Sequence, residues 1–294
     1  MENAKSVEKI KMRLQGHEKF ALREGWISKA LMILPDNPDI FLRKDAPDRF
    51  GIGNNMVKSL RYWIKAFGLV RDCGVNGTLL TEFGEVIKKH DPFIESPFTL
   101  WMLHSNIARN CEEATTWYMF FNRCDADDLE KTEIETILLR EVKKYASGQS
   151  FSEKSLYNDV DVLLNMYGRT REKSDPEEKN VSPFTSLGLL KQTSGKYSKM
   201  HPDKKIFSQY VVLYELARMF GGREGISIED ALYGEKGLAK TYNLTAVMAN
   251  DYFDRLDASG FIKVDRTAGL DMLYPVSALD PMKVMEEYYK TSGR

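Results

Sequence analysis

Four residues spaced i, i+4, i+7 and i+11 carry the chemistry most readily read in this chain: Asn54, Lys58, Arg61 and Lys65. They share one side of a segment whose apolar positions, Val57, Leu60, Ile64 and Phe67, recur at helical spacing. No acidic residue interrupts the span from Gly51 to Arg71. Cations and amides on one helix face suit contact with phosphates and base edges. The candidate nucleic-acid residues are therefore Asn54, Asn55, Lys58, Ser59, Arg61, Tyr62 and Lys65. The same stripe would also suit a solvated amphipathic helix with no ligand.

The elements around the stripe follow from local signals. Gly68 stands where a C′ glycine stops a helix. Leu69–Asp72 and Thr78–Leu80 flank a turn carrying Gly74, Asn76 and Gly77, which is hairpin chemistry. Thr81–Glu85 has the form of a capped helix start. A helix followed by a two-stranded wing and a closing helix resembles a winged helix-turn-helix, in which the stripe helix enters the DNA major groove. Such units also serve as plain protein-interaction modules.

Further along, Thr99–His104 and Thr115–Phe121 are apolar and aromatic and predict core helices, and Leu129–Tyr145 predicts an amphipathic surface helix. A helix is expected over 152–167 and another over 211–220, with a hairpin turning at Thr193–Gly195 between them. Residues 169–181, rich in Glu, Asp and Lys, predict a mobile loop. A helix over 244–256 and strands at 261–265 and 272–274 repeat the opening outline. This second unit carries Asn250, Asp251 and Asp254 with only Arg255, and two carboxylates meet phosphates badly. It predicts a structural or protein-binding role. The expected architecture is mainly α with small β-hairpins. Two winged helix-turn-helix units, 1–90 and 181–294, flank a helical middle at 91–170.

Composition narrows the function classes. With 294 residues, 43% hydrophobic and 29% charged, the chain has ordinary cores and about two domains. A net charge of −1 makes any nucleic-acid surface local. No run approaches the ~18 apolar residues of a membrane span. The N-terminus has no apolar signal core, and three cysteines without a CxxC pair predict reduced thiols in the cytoplasm.

An active site is harder to find. Metal-dependent phosphodiester cleavage needs clustered carboxylates or histidines. His17-Glu18 reads as a helix-start pair bridging Arg23 or Lys19. His104, on an apolar helix, reads as a satisfied core histidine, and a zinc site with Cys111 and Cys124 lacks ligand spacing. Asp159 and Asp161 point to different helix faces. Asp91-Pro92 reads as an N-cap and N1 pair. Gly51-x-Gly53 lacks the third glycine and preceding strand of a phosphate loop. No catalytic residue, metal ligand or cofactor site is assigned.

Several stretches together are similar to one known family. They are Gly16–Phe20 with Arg23–Trp26, Gly51–Trp63, Asp91–Phe93, Leu100–His104, Phe121-Asn122, Asp159–Asp161 and Leu187–Leu190. The chain resembles the bacterial domain-of-unknown-function family number 4007. Its members accompany phosphoadenylylsulfate-reductase-like sulfur-transfer genes in DNA phosphorothioation and phage-defence clusters. The resemblance implies a component of such a system that engages double-stranded DNA beside sulfur-transfer and ATPase proteins. It also implies two alternatives. One is a strand-nicking endonuclease, which alone would call for a divalent metal. The other is a non-enzymatic adaptor bridging the sulfur-transfer and ATPase subunits.

Overall fold

The computed structural model describes residues 10–168, 182–269 and 271–293. The segment 10–16 is not helical, and the first helix, α1 (Trp26–Ile33), is followed by α2 (Ala46–Phe50). Helix α3 (Asn54–Ala66) begins after Gly53, whose extended backbone leaves the first-turn amides outside the helix hydrogen-bond ladder. Val57, Leu60, Trp63 and Ile64 are buried along α3, as is Phe67 just beyond it. Gly68 then turns the chain at φ 69°, which an L side chain adopts only with strain.

After α3 comes a two-stranded antiparallel hairpin, β1 (Val70–Asp72) with β2 (Thr78–Leu80), paired Val70↔Leu80 and Asp72↔Thr78. Gly77 is required at its turn. A Cβ there would lie 2.3 Å from the Pro38 carbonyl oxygen, the group that accepts the Thr78 amide at 2.7 Å. Thr81 caps α4 (Glu82–His90) through the Gly84 amide, and its hydroxyl donates to Gly68 O at 2.7 Å. One threonine therefore joins the end of the stripe helix to the start of the next.

Asp91 is not the N-cap of a helix beginning at Pro92. It closes α4, and its carboxylate accepts from the Glu95 and Ser96 amides and from Thr99 Oγ1. Helix α5 (Pro97–Arg109) starts at the second proline, after Ser96. The intervening loop lets one carboxylate gather the free amides ahead of that helix. Two α5 side chains close α3 in turn: Asn106 donates to Phe67 O at 2.9 Å and the side chain of Asn110, its C-cap, to Ala66 O at 3.1 Å.

The middle continues through α6 (Thr115–Arg123), the short strand β3 (Leu129–Glu130), α7 (Lys131–Ala146) and α8 (Glu153–Gly168). Strands β4 (Leu190–Thr193) and β5 (Lys196–Lys199) form the expected hairpin, and β3 adds to its edge in the order β3-β5-β4. Lys199 donates from its buried ammonium to the carbonyls of Phe120, Phe121 and Cys124 at the end of α6. Then come α9 (Gln209–Phe220), β6 (Ile226–Ser227), α10 (Ile228–Tyr233), α11 (Leu238–Tyr242) and α12 (Ala246–Ala258). The last hairpin, β7 (Ile262–Asp265) with β8 (Met272–Pro275), gains β6 as a third strand. Helix α13 (Pro281–Thr291) returns to pack on α9 and α4. The result is mainly helical, with three small antiparallel sheets. The expected loop at 169–181 lies outside the described residues.

Phe67 is fully buried and stacks on Trp63 and on Phe184, which follows α8. It therefore joins the stripe helix to the helical middle. Phe67→Ala should cost about 3–5 kcal/mol in urea unfolding. A cost below about 1 kcal/mol would mean that the ring is not the tie described.

Candidate nucleic-acid interface

Helix α3 presents its residues unequally. Asn54, Asn55 and Lys58 are exposed in the first two turns, and Lys58 has no ion pair among the described residues. Arg61 and Lys65 are half-buried and engaged. Ser59 and Tyr62, read from sequence as contact residues, are buried. Ser59 Oγ points back to Phe20 O, and Tyr62 is 2% exposed. At 100° per residue, Ser59 falls beside Trp63 on the apolar face, whereas Tyr62, on the edge of the stripe, is covered by Arg13, Gly16 and His17 of the N-terminal segment.

The hairpin supplies the acid that the helix lacks. Asp72 of β1 accepts from Arg61 at 3.1 Å, from Lys65 at 2.9 Å and from Thr78 Oγ1 at 3.1 Å. Burial would raise its carboxyl, but the hydrogen bonds from Lys65 and Arg61 outweigh that and hold it down at about 2. Glu113 reaches Lys65 at 3.7 Å and Arg13 at 2.8 Å. The stripe is thus graded, with an exposed end at Asn54, Asn55 and Lys58 and a neutralised end at Arg61 and Lys65. Asp72 lies 11 residues from Arg61, and no periodicity within α3 signals the pairing.

The second unit uses its charges internally. Arg266 donates to Asp254 and Asn250, both at 2.8 Å, and Lys204 pairs with Asp251 at 3.0 Å.

The titratable residues considered for catalysis are dispersed. His17 is not a surface helix-start partner for Arg23 or Lys19. It is fully buried, stacks on Trp63 at 5.7 Å and donates from Nε2 to Asp159 at 2.7 Å, because the Lys19 amide occupies Nδ1. Asp159 also accepts from the Gln15 amide and from Thr116. Asp161 faces away and pairs with Lys131. His104 is held by Tyr167 Oη and Thr241 O, and burial pushes its ring down to about 4, so it is neutral. Glu215, on the apolar helix α9, is a buried acid that periodicity did not signal. Arg109 lies 2.9 Å from it and Tyr242 donates to it at 2.9 Å. Among the described residues, no three His, Cys, Asp or Glu side chains converge where a metal ion could sit.

Two cavities stand out. One, of about 370 Å³, lies against the stripe, bounded by Arg13, Phe41, Lys58, Arg61 and Tyr62. The other, about 650 Å³, has walls from Leu22, Ile27, Phe93 and Leu100 and lies away from the cations of α3.

Helix, hairpin and graded charge define a mainly helical protein with a local basic face. The chain belongs to the protein family of unknown function DUF4007, whose model matches residues 14–289. Its fold is similar to two crystal structures, described as "SspB crystal structure" and "Magnesium ion-bound SspB crystal structure". Each aligns with a TM-score of 0.83 and 24% identity, over 94% of this chain and 88% of that one. No curated protein sequence matches the chain.

Replacing Asp72 with Asn should release Arg61 and Lys65, and retention on a heparin column should increase. Linkage adds a second readout. The Asp72 carboxyl is depressed in the folded state, so its contribution is present above the unfolded value near 3.8. It is lost as pH falls through about 2. Wild-type stability should therefore drop more steeply than that of Asp72→Asn between those values in acid unfolding. Parallel profiles would show that the hairpin does not hold the stripe by charge.

Proposed function

We propose that this chain is a DNA-engaging component of a bacterial DNA phosphorothioation or related phage-defence system. The observation that carries the reading is the exposed, acid-free N-terminal half of α3. Helix α3 lies between a short preceding helix and a hairpin in the order of a winged helix-turn-helix. Asn54 and Asn55 sit at the helix start, where side chains reach base edges and free backbone amides meet phosphates. Lys58, Arg61 and Lys65 continue as phosphate contacts. The two engaged cations exchange Asp72 for phosphate when DNA arrives. Membership of the DUF4007 family and the likeness in fold to SspB support placement in such a system. The partners that this reading calls for are sulfur-transfer and ATPase proteins of the same system. The carboxylates of α12 suit contact with protein better than with DNA, so the second unit is read as facing the helical middle or a partner.

A second reading is a strand-nicking endonuclease. It is favoured by one observation, that a structure with this fold holds a magnesium ion. The described residues of this chain offer no cluster of three metal-binding side chains. Plasmid nicking by the purified chain, assayed with and without Mg²⁺, separates the readings. Metal-dependent relaxation of supercoiled plasmid favours the enzyme, and binding without nicking favours the DNA-engaging component.

The interface is tested by salt dependence. Changing Lys58, Arg61 and Lys65 together to Ala should weaken duplex binding. It should also flatten the slope of log affinity against log salt by about 0.9 for each phosphate that is no longer neutralised. An unchanged slope in a folded triple variant would remove α3 from the interface.

A further inference from the structure

The 370 Å³ pocket beside α3 is more than a dent in a basic surface. Its volume is that of a small-ligand site rather than of a groove for a whole duplex. Four cations line it, Arg13, Lys58, Arg61 and Lys65, against two carboxylates, Glu18 and Asp72. Phe41 and Tyr62 supply aromatic walls.

Tyr62 is the informative residue. It lines the pocket and is 2% exposed, yet its hydroxyl has no hydrogen-bond partner among the described residues. The oxygen is not among the sealed polar atoms that lack a partner, so on an otherwise buried side chain it is the part left open to take one. Its ring is also fixed in place. A Cβ on Gly16 would come within 2.3 Å of that ring, and the Arg13 guanidinium lies 5.2 Å from its centroid. The hydroxyl is thus held ready, with nothing of this chain's own to bond.

The pocket therefore asks for three features in one ligand. It needs an anionic group for Lys58, the cation with no ion pair among the described residues. It needs a flat ring to lie against Phe41, the part-exposed aromatic of the lining. It needs a polar ring edge for Tyr62. A nucleotide has all three. A phosphate of continuous duplex offers only the first, since its base is stacked inside the helix. Enzymes and binders that reach a base take it out of the stack, into a pocket read by stacking and by hydrogen bonds to its edge.

We infer that this pocket takes a single unstacked nucleotide of a DNA strand, with its phosphate at Lys58 and Arg61 and its base edge at Tyr62. The inference rests on the DNA-engaging reading and deepens it. The stripe would grip the duplex while the pocket recognises one nucleotide that has left it.

The test measures binding to two duplexes that differ by one extra unpaired 2-aminopurine nucleotide. The bulged duplex should bind on the order of fivefold or more tighter than the matched one, the scale of one base stacked on an aromatic ring. Fluorescence should report transfer of the bulged base into the protein. Tyr62→Phe keeps the ring and removes the hydroxyl, so it should lower the bulged-to-matched ratio by roughly threefold. Phe41→Ala should lower the ratio as well, with thermal melting confirming that both variants fold. Equal affinity for the two duplexes overturns the inference. So does a preference that both folded variants leave intact, because the nucleotide would then sit elsewhere. Titration with dAMP alone separates the two levels of the argument. If no DNA binds but dAMP binds and weakens in Tyr62→Phe, the pocket stands and the DNA reading falls. If neither dAMP nor bulged duplex binds, the pocket inference falls.

Discussion

The packing around Trp63 sets what the rest of the molecule can present. Its fully buried indole meets His17 at 5.7 Å, Tyr62 at 5.0 Å, Phe67 at 5.7 Å and Trp117 at 5.3 Å, and its Nε1 donates to Phe20 O. These rings come from the N-terminal segment, from α3 and its end, and from α6. Close-packed aromatics of this size leave little rotational freedom. The rotation of α3 about its axis is thereby set, and with it the residues that face water. A turn of one residue, about 100°, would bury Lys58 and expose Leu60.

Electrostatics acts within that frame. The chain is close to neutral, so attraction for a polyanion cannot come from a global field. On the proposed reading it would come from a few cations whose partners can be exchanged. Asp72 supplies such a partner: it sits part-exposed on a short hairpin and bridges Arg61 and Lys65. Ion pairs at that exposure contribute little to stability, so exchanging the carboxylate for a phosphate costs little. Lys58, one turn away, has no ion pair among the described residues. The same face can therefore be ordered without ligand and remain able to take one.

The buried acids have a different use. Asp91, Asp159 and Glu215 each gather donors from separate elements. Asp159 joins the N-terminal segment and α6 to α8, Asp91 joins the end of α4 to the start of α5, and Glu215 joins α9 to α5 and α11. A buried carboxylate without such donors would be costly, and with them it specifies how the helices meet. None of the three faces another in a shared cluster. The buried hydrogen bond between His17 and Asp159 shares that carboxylate with the Gln15 amide and the Thr116 hydroxyl. Its rings and amides tie down the N-terminal segment, whose Arg13 and Gly16 then form part of the pocket wall.

How much of this was legible in the residues follows from the range of each interaction. The span and apolar face of α3, its stop at Gly68, the hairpin after it, the capped start at Thr81, the later hairpins and the core role of His104 were readable. Their signals lie within a few residues, in helical and strand periodicity and in turn chemistry. Family membership was readable as well, from the stretch Gly51–Trp63 and its companions. The helix start expected at Asp91 fails because the Asp-Pro signal is satisfied equally by a carboxylate capping a helix a few residues on. The place of His17 was hidden because its partner is 142 positions away, and Asp72 gave no sign as a partner for Arg61 because strand register decides that contact. Local sequence thus determined which segments would be helix or hairpin and which face of α3 would be charged. Only the tertiary structure decided which of those charges stay free and that Tyr62 lines a pocket, because both depend on contacts between residues far apart in the chain.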